Sequence, residues 1–255
     1  MNREKARVLL VGVGGLGCPA AIVLARGGVG SIVIADDDVV EESNLHRQIL
    51  FDESEVGALK GETAAAALMR LASAPSFRAS AIGSRLLPHN AVQLVQGADV
   101  VVEGSDNFAT KFLVADACAI ACVPVVHAAA VRWGGTALAV GPRGAPCYRC
   151  LFEDIPREGA PNCADAGVVG PMVGVVGAIQ ADLALSLIDG EPVEGTLVTY
   201  DGLTDAVRRR VIPSRDDCAL CGRTRSIDRI DGARYEIDEC IEDATPSSQI
   251  IIENF

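Results

Sequence analysis

The stretch VLLVGVGGLGCPAAIVLARGGVGSIVIADDD, residues 8–38, constrains the fold more than any other part of the chain. Its first apolar, β-branched run over 8–13 predicts a buried strand, the glycines a turn, and the apolar segment ending near Gly27 and Gly28 a helix. SIVIAD at 31–36 predicts a second strand. Parallel strands need a crossover between them, so residues 8–36 predict a βαβ unit. Gly12, Gly14 and Gly17 fit G-x-G-x-x-G between strand and helix, with Asp36 ending the second strand. Such glycines allow a tight turn and close backbone approach to phosphate, and such an acid binds ribose hydroxyls. Taken alone they suit an NAD-dependent oxidoreductase as well as any other nucleotide protein.

The alternation continues with a helix at 55–72, a weak strand near 77–82, a short helix near 89–95, a strand in ADVVVE, a helix from Phe108 to Ala121 and a strand in VPVVHAA. The expected class is α/β: a Rossmann-like, mostly parallel sheet with helices on both faces. After Trp133 the texture changes. GGTALAV predicts a strand, the segment from Pro171 to Gly190 an almost wholly apolar helix, and TLVTYDG with AVRRRVIP a strand pair. Pro in a first helical turn and Gly just past a last one are the usual punctuation. The expected divisions are 1–133, a nucleotide-binding α/β part; 134–242, an antiparallel extension carrying a metal site; and 243–255, a tail.

Behind Asp36, the segment DDDVVEESNLHRQILF brings Asn44, Arg47 and Gln48, and Lys60 follows. A guanidinium binds phosphate oxygens bidentately and a lysine adds a point charge, so two cations beside a nucleotide suit a triphosphate. Cys147 and Cys150 form one C-x-x-C and Cys218 and Cys221 another. Four thiolates in two such knuckles make a closed, tetrahedral, structural zinc site with no open position for catalysis.

With 34 acidic against 22 basic residues, a formal charge of −12 opposes attraction to nucleic acid or anionic lipid. The start has no signal-peptide apolar region, and no run of the sequence is expected to span a membrane. A cytosolic setting also fits nine cysteines read as ligands or free thiols.

GVGGLG, Asp36 and Asp38, SNLHRQ, Lys60 and SDN at 105–107 together resemble the MoeB/ThiF/HesA family, relatives of ubiquitin-activating enzymes, over roughly residues 8–222. The resemblance implies an ATP-dependent adenylyltransferase acting on the C-terminal glycine of a small ubiquitin-like sulfur-carrier protein ending in Gly-Gly. It implies that Gly15 lies against the nucleotide, Asp36 holds the ribose with Asp38 nearby, and Ser43, Asn44 and Arg47 line the phosphates with Lys60. Asp106, beside Asn107, matches the adenylation aspartate that helps place Mg²⁺. It further implies a homodimer and a separate sulfur-donor protein. The cysteine quartet sets the chain apart from the related tRNA threonylcarbamoyladenosine dehydratases.

Cys163, in GAPNCADAG, matches the position of a thiol suggested to attack the activated carbonyl. Family members usually begin with a helix whose "RYxRQ"-like arginine reaches the partner subunit's ATP; eleven residues precede Gly12 here, leaving Arg3 or Arg7 as substitutes, and leaving a noncatalytic carrier-binding role as an alternative. Cys18, Cys118 and Cys122 are expected in the core, and Cys240 has no assigned role. His46, His89 and His127 are expected to be unconnected structural residues, and Arg208 to Arg210 a solvated strand-end run.

Overall fold

The structure is a computed structural model that describes residues 2–156 and 167–236. Among the described residues one eight-stranded sheet runs in the order β3-β2-β1-β4-β5-β6-β7-β8. The parallel part comprises β1 (Arg7–Val11), β2 (Ser31–Ala35), β3 (Arg78–Ala81), β4 (Val100–Glu103) and β5 (Val125–Val131). Strands β6 (Gly134–Val140), β7 (Thr196–Asp201) and β8 (Ala206–Val211) extend it antiparallel. The expected class is therefore observed.

Helices cover both faces because the parallel strands are apolar on both. Helices α1 (Gly17–Arg26), α2 (Lys60–Leu71) and α6 (Gly170–Asp189) share one core with Leu10, Ile32 and Val126. Helices α3 (Ala91–Gln96), α4 (Phe108–Ala121) and the short α5 (Tyr148–Leu151) share the other, with Leu9, Val101 and Leu138. By length and a mean hydropathy of 1.7, α6 would pass for a membrane span. Here it packs on α1 and on β4, β5 and β6, so much of its apolar circumference belongs to the core, with Val175 left exposed.

Three expectations shift. Strand β1 stops at Val11 because Gly12 turns the chain at φ +82°. Helix α2 starts at Lys60, well after 55, because Asp52 and Glu55 close a capping box on a separate 3-10 turn and Gly57 breaks the chain at φ +89°. Cys18 and Cys118 are buried as expected, whereas Cys122 is exposed. It caps α4 in the left-handed conformation at φ +55°, where the chain turns outward.

Candidate functional site

Strand order reverses between β1 and β4, with β1 continuing to β2 on one side and β4 to β5 on the other. Open α/β sheets bind ligands beyond the strand ends at such a switch point. A cleft of about 220 Å3 lies there, lined by Gly12, Gly14, Gly15, Asp36, Asp38, Arg47, Lys60, Asp106 and Asn107. Residues spread over 95 positions of chain are thus brought to one wall. Gly12 needs its positive φ, and a Cβ on Gly17 would fall 2.1 Å from the Gly12 carbonyl oxygen, so the turn closes only with glycine there. Gly17 itself is buried behind the cleft at the start of α1.

Asp36 accepts the Val13 N–H at 2.8 Å and the Asp38 N–H at 3.0 Å, which fixes the acid against the glycine turn. Burial pushes its carboxyl above the ordinary value, against the pull of those bonds and of Lys60. Lys60 is 6% exposed at the start of α2 and donates to Asp38 at 3.2 Å. Arg47 is half-buried; its guanidinium donates to the Asn44 side-chain oxygen, and Asn44 donates in turn to Glu41 at 3.0 Å. Asn44 thus stands behind Arg47 and orients it, while exposed Ser43 reaches only toward Glu41. Gln48, expected behind Asp36, lines the cleft too, and so does one residue missed in the sequence, Arg85, which donates to Asp37 at 2.9 Å.

Asp106 is exposed at the cleft, and Asn107 beside it caps α4 by accepting the Thr110 N–H at 2.8 Å. A buried cluster invisible in the sequence holds this loop from behind. Glu103, fully buried, accepts the Ser105 N–H at 2.8 Å, the Ser105 hydroxyl, Lys111 Nζ at 2.8 Å and His127 Nδ1 at 3.3 Å. Lys111 also donates to the Ala128 carbonyl at 2.6 Å. Gln180 of α6 donates to the Glu103 and Val126 carbonyls at 2.7 and 2.8 Å. Glu103 and His127 are register partners on β4 and β5, so His127 is not the unconnected histidine expected.

Burial would raise the Glu103 carboxyl, but Lys111 and His127 outweigh it and hold the group at about 2. Burial dominates at His127 and lowers it, so the neutral ring donates through Nδ1. Both depressions make the folded state bind fewer protons than the unfolded one, so stability falls as pH drops below about 6.5 and again below about 4.5. Urea midpoints between pH 7 and 5 are expected to fall less for His127→Gln than for the parent; equal slopes would remove His127 from this account.

The four cysteines meet beside α5. Zinc–sulfur bonds of about 2.3 Å in a tetrahedron set the sulfurs about 3.8 Å apart. Cys147 Sγ lies 3.8 Å from that of Cys150 and 3.5 Å from that of Cys218, and Cys150 Sγ lies 3.3 Å from that of Cys221. All four fall within 4.8 Å of one another, so the donor set and spacing fit zinc. Between the ligands, Arg149 makes a two-pronged bond to buried Asp116 of α4 at 2.8 and 2.9 Å, and Tyr235 donates to Asp116 at 2.7 Å. The cysteine cluster is thereby tied to the helix that starts just after Asp106.

Arg3 and Arg7 pair with Asp189 and Asp99 and do not line the cleft. Arg208, Arg209 and Arg210 are exposed along β8 itself, within the strand and not at its end. Cys163, Cys240 and the tail lie outside the described residues.

Comparison with known proteins places this arrangement among relatives. The ThiF family model matches residues 2–221. The SAMP-activating enzyme E1 of Haloferax volcanii is 41% identical over 238 residues, 92% of this chain and 86% of that one. The adenylyltransferase and sulfurtransferase MOCS3 of Mus musculus is 44% identical over 229 residues, 88% of this chain. The chain spans 49% of the MOCS3 length. Among solved structures, E. coli MccB with ATP superposes with a TM-score of 0.72 over 86% of this chain and 68% of that one. At 23% identity that likeness concerns the fold.

Proposed function

The chain belongs to the ThiF family, and from that premise we propose that it is an ATP-dependent adenylyltransferase that activates the C-terminal glycine of a small ubiquitin-like sulfur-carrier protein. One observation carries the reading: the glycine turn, Arg47, Lys60 and Asp106 line a single cleft. A nicotinamide site would leave two of the cleft's cations and Asp106 without a task. The names of the relatives, one an activating enzyme and one an adenylyltransferase, support the same reading.

On this proposal the triphosphate lies on the glycine turn at the α1 N-terminus, its ribose against Asp36. A carboxylate oxygen of the carrier's terminal glycine attacks the α-phosphorus, the bond to the bridging oxygen breaks, and pyrophosphate leaves. The chain's work is positioning and charge neutralisation, since both reactants are anionic. Arg47 and Lys60 supply cations, and Asp106 with Asn107 would hold Mg²⁺, which adds further positive charge at the phosphates. Cys163 is then placed by sequence to attack the glycyl carbonyl, AMP leaving. A homodimer and a cytosolic setting complete the proposal; Val175 of the apolar α6 is 38% exposed and available to a second copy.

Arg47→Ala is expected to lower carrier adenylation about a hundredfold, roughly 3 kcal/mol of transition-state stabilisation. Near-normal adenylation by that variant would remove Arg47 from the reaction. The proposal is tested by ATP:pyrophosphate exchange with a panel of ubiquitin-like carriers ending in Gly-Gly. Exchange that depends on a carrier is expected. A second reading, carrier binding without catalysis, is favoured by the in-chain pairing of Arg3 and Arg7; it predicts carrier binding with no exchange. Tight NAD binding without exchange would contradict both.

A further inference from the structure

A second cavity, of about 110 Å3, adjoins the nucleotide cleft at Asp106, which lines both. It lies on the other face of β5. Ala130 lines the cleft, whereas Ala129 and Val131, pointing the opposite way along the strand, line the cavity with Thr136, Leu138 and Tyr148. Its walls are mostly apolar, and α5 and Phe152 cover it.

Tyr148 is the informative residue. It is 5% exposed, stacked against Phe112, Phe152 and His127 at centroid distances of 5.2, 5.1 and 4.6 Å. Its hydroxyl makes no hydrogen bond among the described residues. Tyrosines this deeply buried ordinarily find a partner for that group; nearby, Lys111 is already bonded to Glu103 and the Ala128 carbonyl, whereas His127 Nε2 is buried and likewise without a partner among the described residues. A cavity with mostly apolar walls and two unused polar atoms, the Tyr148 hydroxyl and His127 Nε2, has the chemistry of a pocket for an uncharged side chain carried on a backbone that can hydrogen-bond.

We propose that this cavity seats the first aliphatic side chain upstream of the carrier's glycine pair, and so selects the tail that reaches Asp106. The inference rests on the function proposed above. Two extended glycines span about 7 Å at roughly 3.3 Å per residue, so the residues just before them lie about 7 to 10 Å from the reacting carboxylate. A cavity that begins at Asp106 is within that reach. Its volume is somewhat below the ~150 Å3 that holds a benzene ring, which suits a branched aliphatic group. An acidic side chain there would lose its hydration beside Asp106 with no counter-charge available, since Lys111 is committed to Glu103.

The test uses the full chain and whichever carrier supports exchange. Ala129→Leu fills the cavity and is expected to raise the carrier KM at least tenfold, with ATP affinity unchanged. Tyr148→Phe keeps the ring and removes only the hydroxyl, which on this proposal donates to the tail's backbone carbonyl beside the seated side chain; a three- to tenfold rise in the same KM is expected. Aspartate in place of the carrier's first aliphatic residue before the glycine pair should raise KM for the parent enzyme and add little in Ala129→Leu. If Ala129→Leu fails to bind ATP, Tyr148→Phe decides. Carrier KM within twofold of the parent in enzyme variants that bind ATP normally overturns the inference while leaving adenylation intact. Loss of all exchange in the parent is the separate failure of the function itself, and takes the inference with it.

Discussion

Stripping zinc with a strong chelator is expected to unfold the region around the four cysteines while the parallel sheet stays folded. The reason is the size of the local core. Among the described residues, the cluster there consists of Cys147 and Cys218 with Leu220 and Ile227, packed by a few partly buried neighbours. The segment from 213 to 230 has no helix or strand and is held by turn bonds such as Ile227 N–H to the Ala219 carbonyl at 3.0 Å. So small a core cannot order such a segment, whereas structural zinc contributes apparent binding free energies of roughly 10 to 16 kcal/mol. Limited proteolysis should therefore cut between 213 and 230 in the chelated protein and spare the metal-bound one. The effect should reach the cleft, because Arg149 and Tyr235 both anchor on Asp116 of α4. Adenylation should fall with metal loss and return when zinc is restored. A chelated protein with the parent's protease resistance would show that the cysteines pack without a metal.

Glu103→Ala is expected to destabilise the fold by about 3 to 5 kcal/mol. Removing one member of a buried ion pair strands the other charge in a medium that cannot solvate it. Here the stranded group is Lys111, 5% exposed, and Ser105 and His127 lose their acceptor as well. Ser105 precedes Asp106, so the same change loosens the loop that presents Asp106 to the cleft. Glu103→Gln keeps an acceptor for Ser105 and should retain more activity per folded molecule than Glu103→Ala. Urea unfolding of the parent and both variants measures the first effect. A loss below 1 kcal/mol for Glu103→Ala would mean that Lys111 finds water.

What the sequence revealed and what it hid divide along one physical line. Local chemistry was legible: the glycine turn, the bounds of Phe108–Ala121, Pro171 and Gly190 around α6, and cysteine pairs whose spacing carries its own geometry. Arg47 in SNLHRQ, Asp106 in SDN and Lys60 between them were expected around one nucleotide, and all three line one cleft. The Glu103, Lys111 and His127 cluster was hidden because strand register brings Glu103 opposite His127 across 24 positions of chain. A charged residue closing the apolar run VVVE was the available signal. Arg85 was missed for a similar reason, since its partner Asp37 lies 48 positions away. Cys122 was misplaced because an apolar neighbourhood says nothing about a left-handed helix cap.

The most direct test of the central claim follows the two ends of ATP separately. With ATP labelled at the α-phosphorus, label should appear on the carrier as an acid-stable, hydroxylamine-sensitive acyl-adenylate, and its appearance should depend on Arg47 and Asp106. With label at the γ-position, all of it should leave as pyrophosphate. Label from the γ-position on the carrier, or none from the α-position with any Gly-Gly-ended carrier, would contradict adenylation at this cleft.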